Sequence, residues 1–251
     1  DGSPALTFAP LPLDGPPARG SLAALMERRY DAYRTHVVRP FFREHFSRLD
    51  RQIVLVDALA ALDRGAAATA ELERTLGEVL TAFRPGRLNW LTSLVDRRID
   101  RILFAATKAD HVHQRDHDRL EAILRRLVGR AAERAEFAGA EVEVLAIAAV
   151  RATREATVRR AGERLPAIIG TPMPGERIDG TTYDGTAEIA LFPGDLPDDP
   201  EAVFRGPVGG GLRFARFRPP RLERGADGVS LTLPHIRLDR ALQFLVGDRL
   251  A

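Results

Sequence analysis

Three short apolar runs constrain the fold of this chain more than any other feature. They cover Ile53 to Val56, Ile102 to Ala106 and Val142 to Val150, and stretches with helical periodicity separate them. Runs of branched apolar residues flanked by polar ones are typical of strands buried on both faces. Strand, helix, strand, helix, strand is the order of a parallel α/β sheet. We therefore predict an α/β domain whose first strand, Arg51 to Asp57, is buried on both faces.

The segments around these runs carry helix and turn signals. Ser21 is a typical N-cap residue, and Pro40 predicts the start of a second helix. Apolar residues at helical spacing predict helices over residues 22–38, 41–49, 67–83, 88–95, 115–136 and 236–249. Proline and glycine are frequent after residue 152, and short runs there predict strands over 155–159, 165–169, 188–192, 212–217 and 229–233.

These signals divide the chain into five predicted regions. They are a proline-rich linker (1–20), a helical region (21–50), the parallel α/β part (51–152), a small antiparallel β-rich unit with long loops (153–235) and a terminal helix (236–251). Because the β-rich unit separates the last predicted strand of the sheet from the terminal helix, we expect that helix to return and cover the sheet.

Composition narrows the classes of function. The chain has no cysteine, so neither disulfides nor thiol chemistry contribute. Its formal charge is +2, from 37 basic and 35 acidic residues, and without a block of like charges we expect no nucleic-acid partner. No apolar run approaches the roughly 18 residues that span a bilayer. We expect a cytoplasmic protein, with peripheral attachment to the inner membrane as the alternative.

The second apolar run ends in the polar turn Thr107-Lys108-Ala109-Asp110, which contains the only lysine of the chain. Arginine does not replace lysine where a thin aliphatic stem must lie against a flat group. An aspartate carboxylate accepts hydrogen bonds from both N1–H and the exocyclic amine of guanine, a donor pair that adenine lacks. The turn therefore predicts a guanine site. Asp110 would read the base edge, the Lys108 stem would lie along base and sugar, and the Thr107 hydroxyl would tie the turn to neighbouring loops.

The other two apolar runs end in further candidates. Asp57 follows the first run, and we predict that it holds Mg²⁺ through a water, since this ion keeps much of its hydration shell. The third run closes with Ala149 and Val150, where a backbone N–H would meet guanine O6. Ligands of open α/β sheets bind at this carboxyl edge.

Each assignment has a plainer alternative. Asp57 and Asp110 are also good helix N-caps, and Lys108 would then be a solvated surface charge. Three histidines in and after the turn suggest a metal site, but in a polar turn without cysteine such residues more often face solvent. We predict solvent-facing side chains for these three, His111, His113 and His117.

A phosphate-binding loop is missing from the sequence. The pattern Gly-x-x-x-x-Gly-Lys-[Ser/Thr] needs a lysine, and Lys108 is already placed in the base turn. Gly209-Gly210-Gly211 lacks both the lysine and a following helix, so we predict a flexible turn there. Either the chain does not bind nucleotide, or a P-loop lies upstream of Asp1, in the same polypeptide or in a second chain. Without upstream strands, we expect apolar strands such as Ile53 to Val56 to be partly uncovered.

The chain closely resembles the C-terminal half of the YcjX family of bacterial stress proteins, whose members are often labelled predicted ATPases. The matching stretches are long and specific: Asp50 to Asp57, Leu103 to Val112, Leu191 to Gly194, Phe217 to Pro219, Pro234 to Asp239 and Phe244 to Asp248. Two positions depart from the expected motifs. The family has serine where this chain has Ala149, so that contact to the base would be through the backbone alone. Usual GTPases place glycine three residues after the aspartate, where this chain has Ala60.

The resemblance implies the C-terminal half of a Ras-like P-loop NTPase, a three-layer α/β/α domain with a helical region and an inserted antiparallel β unit. It implies binding of GTP and GDP with Mg²⁺, slow GTP hydrolysis, and a stress-related switch. An upstream half would supply the P-loop, and the β-rich unit would offer a surface to a protein partner. The alternatives are an ATPase of the same fold and a scaffold that binds nucleotide without hydrolysing it.

Overall fold

The computed structural model describes residues 15–44, 49–82, 99–160, 162–206, 211–220, 223–224 and 231–250. The predicted helix over 88–95 lies outside these residues, as do most of the predicted linker and Gly209 and Gly210. None of the helices within the described ranges combines the length and the apolar composition needed to cross a bilayer.

Residues 22–44 form one continuous helical segment. Helix α1 (Leu22–Tyr33) begins at Ser21, whose hydroxyl accepts the Ala24 N–H at 3.2 Å, and a π-helical turn (Arg34–Val38) leads directly into α2 (Arg39–Glu44). The predicted break before Pro40 is therefore wrong. Proline lacks an N–H and its ring clashes with the carbonyl four residues back, so a wider π turn at this point lets the helix continue.

The three apolar runs form a parallel sheet. Its strands are β1 (Arg51–Val56), β2 (Arg101–Ala106) and β3 (Glu141–Ala146), in the order β1-β2-β3. The register pairs Val56 with Ala106 and Ala106 with Ala146, so the three carboxyl ends lie level at one edge. The third strand stops before its predicted end at Val150, because Ala148 leaves the ladder and forms an isolated bridge with Ile236.

Helices α3 (Ala58–Arg64), α4 (Ala66–Ala82) and α5 (His117–Phe137) pack on one face of this sheet. Helix α5 presents one apolar stripe, as its helical spacing predicts. The stripe is buried against Phe104 and Val144 of the strands, and its members are Leu120, Ile123, Leu124, Leu127 and Val128. Helix α3 was not predicted. It is a two-turn helix between Asp57 and Gly65, whose positive φ of 93° separates it from α4.

Helix α6 (Leu238–Leu250) packs on the opposite face. Its Ala241 is buried against Leu103 and Leu145, which point away from α5 because side chains alternate along a strand. Arg101 of β2 donates to the carbonyl of Phe244, in the middle of this helix, at 2.6 Å, which ties the helix to the strand. The sheet is thus the middle of three layers, with helices on both faces.

The outer strand is less buried than we predicted. Ile53 is 41% exposed and Leu55 is 61% exposed, although the neighbouring Leu103 and Ala105 are fully buried. The prediction that β1 is buried on both faces is therefore wrong for this chain. Strand β1 is an edge strand of the three-stranded sheet, and within the described ranges no further strand pairs with its outer edge.

The β-rich segments form one compact unit with the parallel sheet. An antiparallel sheet joins β4 (Arg154–Arg160), β5 (Glu163–Gly170) and β8 (Ile189–Leu191). Two short hairpins pair β6 (Arg177–Ile178) with β7 (Thr181–Thr182), and β9 (Glu223–Arg224) with β10 (Leu231–Thr232). The strand predicted over 212–217 is wrong, since this segment makes only one isolated bridge, between Phe217 and Pro172. Proline cannot donate to a ladder, which limits pairing there.

We expect Leu103→Ala to destabilise the protein by about 2–5 kcal/mol, because it removes a fully buried side chain between the sheet and α6 and leaves a cavity. Urea unfolding of the full-length protein measures this change. The matched control is Leu242→Ala on α6, where the leucine is 51% exposed and the expected change is within about 0.5 kcal/mol. Equal losses in the two variants would contradict the packing described here.

Candidate functional site

The turn after β2 is fixed from both sides at the carboxyl edge of the sheet. The Thr107 N–H donates to the carbonyl of Val56, at the end of β1, at 2.9 Å, and the Thr107 hydroxyl lies 3.3 Å from the same oxygen. On the other side the Ala109 N–H donates to the carbonyl of Ile147, just past β3, at 3.0 Å. The turn is therefore held at a defined place between its two neighbouring strands.

Lys108 adopts a left-handed backbone conformation, with φ 62° and ψ 34°. For a residue other than glycine this conformation costs about 1–2 kcal/mol, and such strain is often found at functional sites. Its ammonium lies 2.5 Å from Oδ2 of Asp57, the residue that follows β1. The Lys108 side chain is thus half-exposed, but its charge is paired with Asp57. The alternative of an unpaired surface charge surrounded by solvent does not describe it.

The Asp110 side chain is buried, with 5% of its surface exposed. Its Oδ2 accepts the Ala152 N–H at 2.9 Å, and its main-chain carbonyl accepts the Thr153 hydroxyl at 2.5 Å. The carboxylate therefore binds the loop after β3. An ionised carboxylate has about four lone-pair positions, so three remain after the bond to Ala152.

Asp57 caps helix α3. Its Oδ1 accepts the Ala60 N–H at 3.2 Å, while Oδ2 faces the ammonium of Lys108. The plainer alternative for this residue, a helix N-cap, is therefore confirmed. The binding of Mg²⁺ by Asp57 stays a prediction.

Ala149 and Val150 lie in an exposed loop at the same edge. The loop is attached at both ends, since Ala148 pairs with Ile236 and the Arg151 N–H donates to the carbonyl of Pro234 at 2.7 Å. The structure thus gathers all the predicted base-site residues at one edge of the sheet. Their contact with a base remains a prediction.

The histidines differ from our expectation. His117 is 5% exposed and lies under the turn, with Nε2 at 3.0 Å from the carbonyl of Ala109. The ring of His111 is half-buried beside Phe214 and Phe217. Burial lowers the pKa of His117 and of His111 below 6.5. The prediction of solvent-facing side chains is wrong for these two, because the segment over 212–217 packs on His111 and the turn packs on His117.

Sequence reasoning missed three residues that support the turn: Ala152, Thr153 and His117. Ala152 acts through its backbone N–H, so its side chain carries no signal. His117 is the first residue of α5, and a histidine at the start of a helix with a buried apolar stripe was the available signal. The hydroxyl of Thr153 has no counterpart in a recognised motif.

A parallel sheet with helices on both faces and a clamped polar turn at its carboxyl edge is a mixed α/β architecture compatible with a P-loop-like domain. The sequence model of the YcjX-like family, DUF463, matches residues 1–250 of this chain. The chain belongs to this family.

Two curated relatives are described as Ras-like GTPase YcjX. The protein from Shewanella oneidensis is 37% identical over 229 residues, which are 90% of this chain and 44% of that protein. The protein from Escherichia coli strain K12 is 35% identical over 258 residues, covering 99% of this chain and 52% of its own length. The chain therefore spans about half the length of the curated relatives it matches.

We expect acid to weaken folding partly through His117. Its folded pKa lies below 6.5, so as the pH falls below that value the unfolded chain binds a proton first and the stability contributed by the neutral ring is lost. His117→Gln keeps a donor for the Ala109 carbonyl but does not titrate. Urea midpoints at pH 7.5 and 5.5 should therefore drop less in this variant than in the wild type. His111 titrates in both proteins, so an equal drop would contradict the assignment to His117.

Proposed function

We propose that this chain provides the base-reading part of a GTP-binding protein. The observation that carries the proposal is the turn from Thr107 to Asp110, held between the ends of β1 and β3 at the carboxyl edge of a parallel sheet. The two relatives named Ras-like GTPase support the same class.

In this proposal Asp110 accepts hydrogen bonds from guanine N1–H and N2–H₂ through lone pairs that Ala152 leaves open. The Lys108 stem lies along the base and the sugar. A backbone N–H of Ala149 or Val150 donates to guanine O6, and both residues lie in an exposed loop. Because Asp110 is 5% exposed, binding requires that part of this loop moves aside for the base edge.

The phosphates belong to the upstream half in this proposal. The only lysine of the chain is paired with Asp57 at the base turn, so the lysine of a phosphate-binding loop has to come from elsewhere. When bound, Mg²⁺ would neutralise charge on the β- and γ-phosphates. The whole protein would then act as a slow GTPase and a stress-related switch, with the β-rich segments as the surface for a protein partner.

Competition binding on the full-length protein tests the base assignment. GDP should bind at least about 100-fold more tightly than ADP, since adenine offers no donor pair to the carboxylate and charged hydrogen bonds are each worth about 1.5–3 kcal/mol. Equal affinities for GDP and ADP would contradict the reading of Asp110. Tighter binding of ADP would favour an ATPase of the same fold.

Phosphate release from GTP separates a switch that hydrolyses from a scaffold that does not. The full-length protein with Mg²⁺ should release phosphate slowly, and EDTA should stop the release. Tight GTP binding with no release in either condition would support the non-hydrolysing scaffold.

A further inference from the structure

The carboxylate of Asp57 is engaged on both oxygens. Oδ1 accepts the Ala60 N–H at the start of α3, and Oδ2 contacts the Lys108 ammonium at 2.5 Å. The cap ties this carboxylate to a helix whose Leu59 and Leu62 are buried in the core. Asp57 is therefore a fixed anchor, whereas Lys108 is a long side chain that is about half-exposed.

This arrangement does not fit a magnesium ligand. Oδ2 already contacts the ammonium of Lys108, and a cation bound at the same oxygen would be repelled by that charge. The position is also unsuitable. Strand β1 pairs directly with β2, and neighbouring strands lie about 4.8 Å apart. Asp57 thus lies beside the turn that we propose reads the base, whereas a bound Mg²⁺ would lie at the phosphates.

We propose instead that Asp57 is a positioning residue, which holds the Lys108 ammonium so that its aliphatic stem is set to lie along the base. The inference rests on the proposed function and extends it. Two observations support it together. The left-handed backbone at Lys108 fixes where the side chain starts, and the contact with Asp57 fixes where it ends. A side chain held at both ends loses little further rotamer freedom when the base binds.

The two roles of the Asp57 carboxylate, capping α3 and binding the Lys108 ammonium, can be separated experimentally. Asn caps helices about as well as Asp, so Asp57→Asn keeps the bond to Ala60 and weakens the contact with Lys108. Exposed ion pairs have modest effects, and we expect the Kd for GDP of the full-length protein to rise about two- to fivefold. Asp57→Ser, which also caps, provides a second variant should the amide perturb the turn.

A double-mutant cycle identifies the route of the effect. Lys108→Met keeps an unbranched apolar stem and removes the charge, so in that background Asp57→Asn should leave the Kd for GDP unchanged. All titrations are made with Mg²⁺ and again with EDTA, and the effect of Asp57→Asn should be the same in both. An effect seen only with Mg²⁺ would assign Asp57 to the metal and overturn this inference.

A remote aspartate with the same two contacts serves as the matched control. Asp199 caps the 3₁₀-helix Pro200–Phe204 through the Glu201 N–H and pairs with Arg205 on the surface. Asp199→Asn should not change the Kd for GDP. Two results would overturn the inference and leave the proposed function standing. One is that Asp57→Asn raises the Kd for GDP equally in the wild type and in Lys108→Met, and the other is that it leaves the Kd of the wild type unchanged. A wild-type protein that does not bind GDP would overturn the proposed function as well.

Discussion

The in-register parallel pairing of β1, β2 and β3 is the interaction on which the rest of the structure depends. It brings three carboxyl ends level, although long stretches of chain separate them in sequence. The bonds from Thr107 to Val56 and from Ala109 to Ile147 continue this pairing one step beyond the strands. A short polar turn between them can therefore adopt a left-handed residue at Lys108, because the ladder on each side compensates for the local strain.

The same pairing explains why the terminal helix packs where it does. Strand side chains alternate, so a sheet covered only by α3, α4 and α5 would leave Leu103 and Leu145 in water. Helix α6 buries them, and Arg51 and Arg101 bind Asp248 in the last turn of that helix. These two guanidinium groups lower the pKa of Asp248 to about 2. Both faces of the central strand are thereby buried, and the turn after it starts from a fixed position.

Much of this arrangement follows from local sequence, and the rest depends on distant contacts. Strands β1 and β2, the long helix α5 and the terminal helix were predictable because hydrophobic periodicity reports the buried face directly. The exposure of Leu55 does not follow from its own apolar run, since it depends on whether upstream strands cover the edge of the sheet. At the site, the order of residue types indicated Lys108 and Asp110. The support from His117 and the Ala152 N–H could not be predicted, because it arises from residues brought together only by folding.

The most direct test of the account exchanges the atom with which Asp110 reads the base. The side-chain N–H₂ of an Asn at this position can donate to the C2 carbonyl of xanthine, whereas it faces the C2 amine of guanine, which is also a donor. The side-chain oxygen of Asn can still accept the Ala152 N–H. Calorimetry of the full-length Asp110→Asn variant should show xanthosine diphosphate (XDP) binding at least about 10-fold more tightly than GDP, whereas the wild type should prefer GDP. Asp184→Asn, a change in a remote exposed turn that binds Thr186, should keep the wild-type order. Unaltered GDP affinity in Asp110→Asn would contradict the claim that this carboxylate reads guanine.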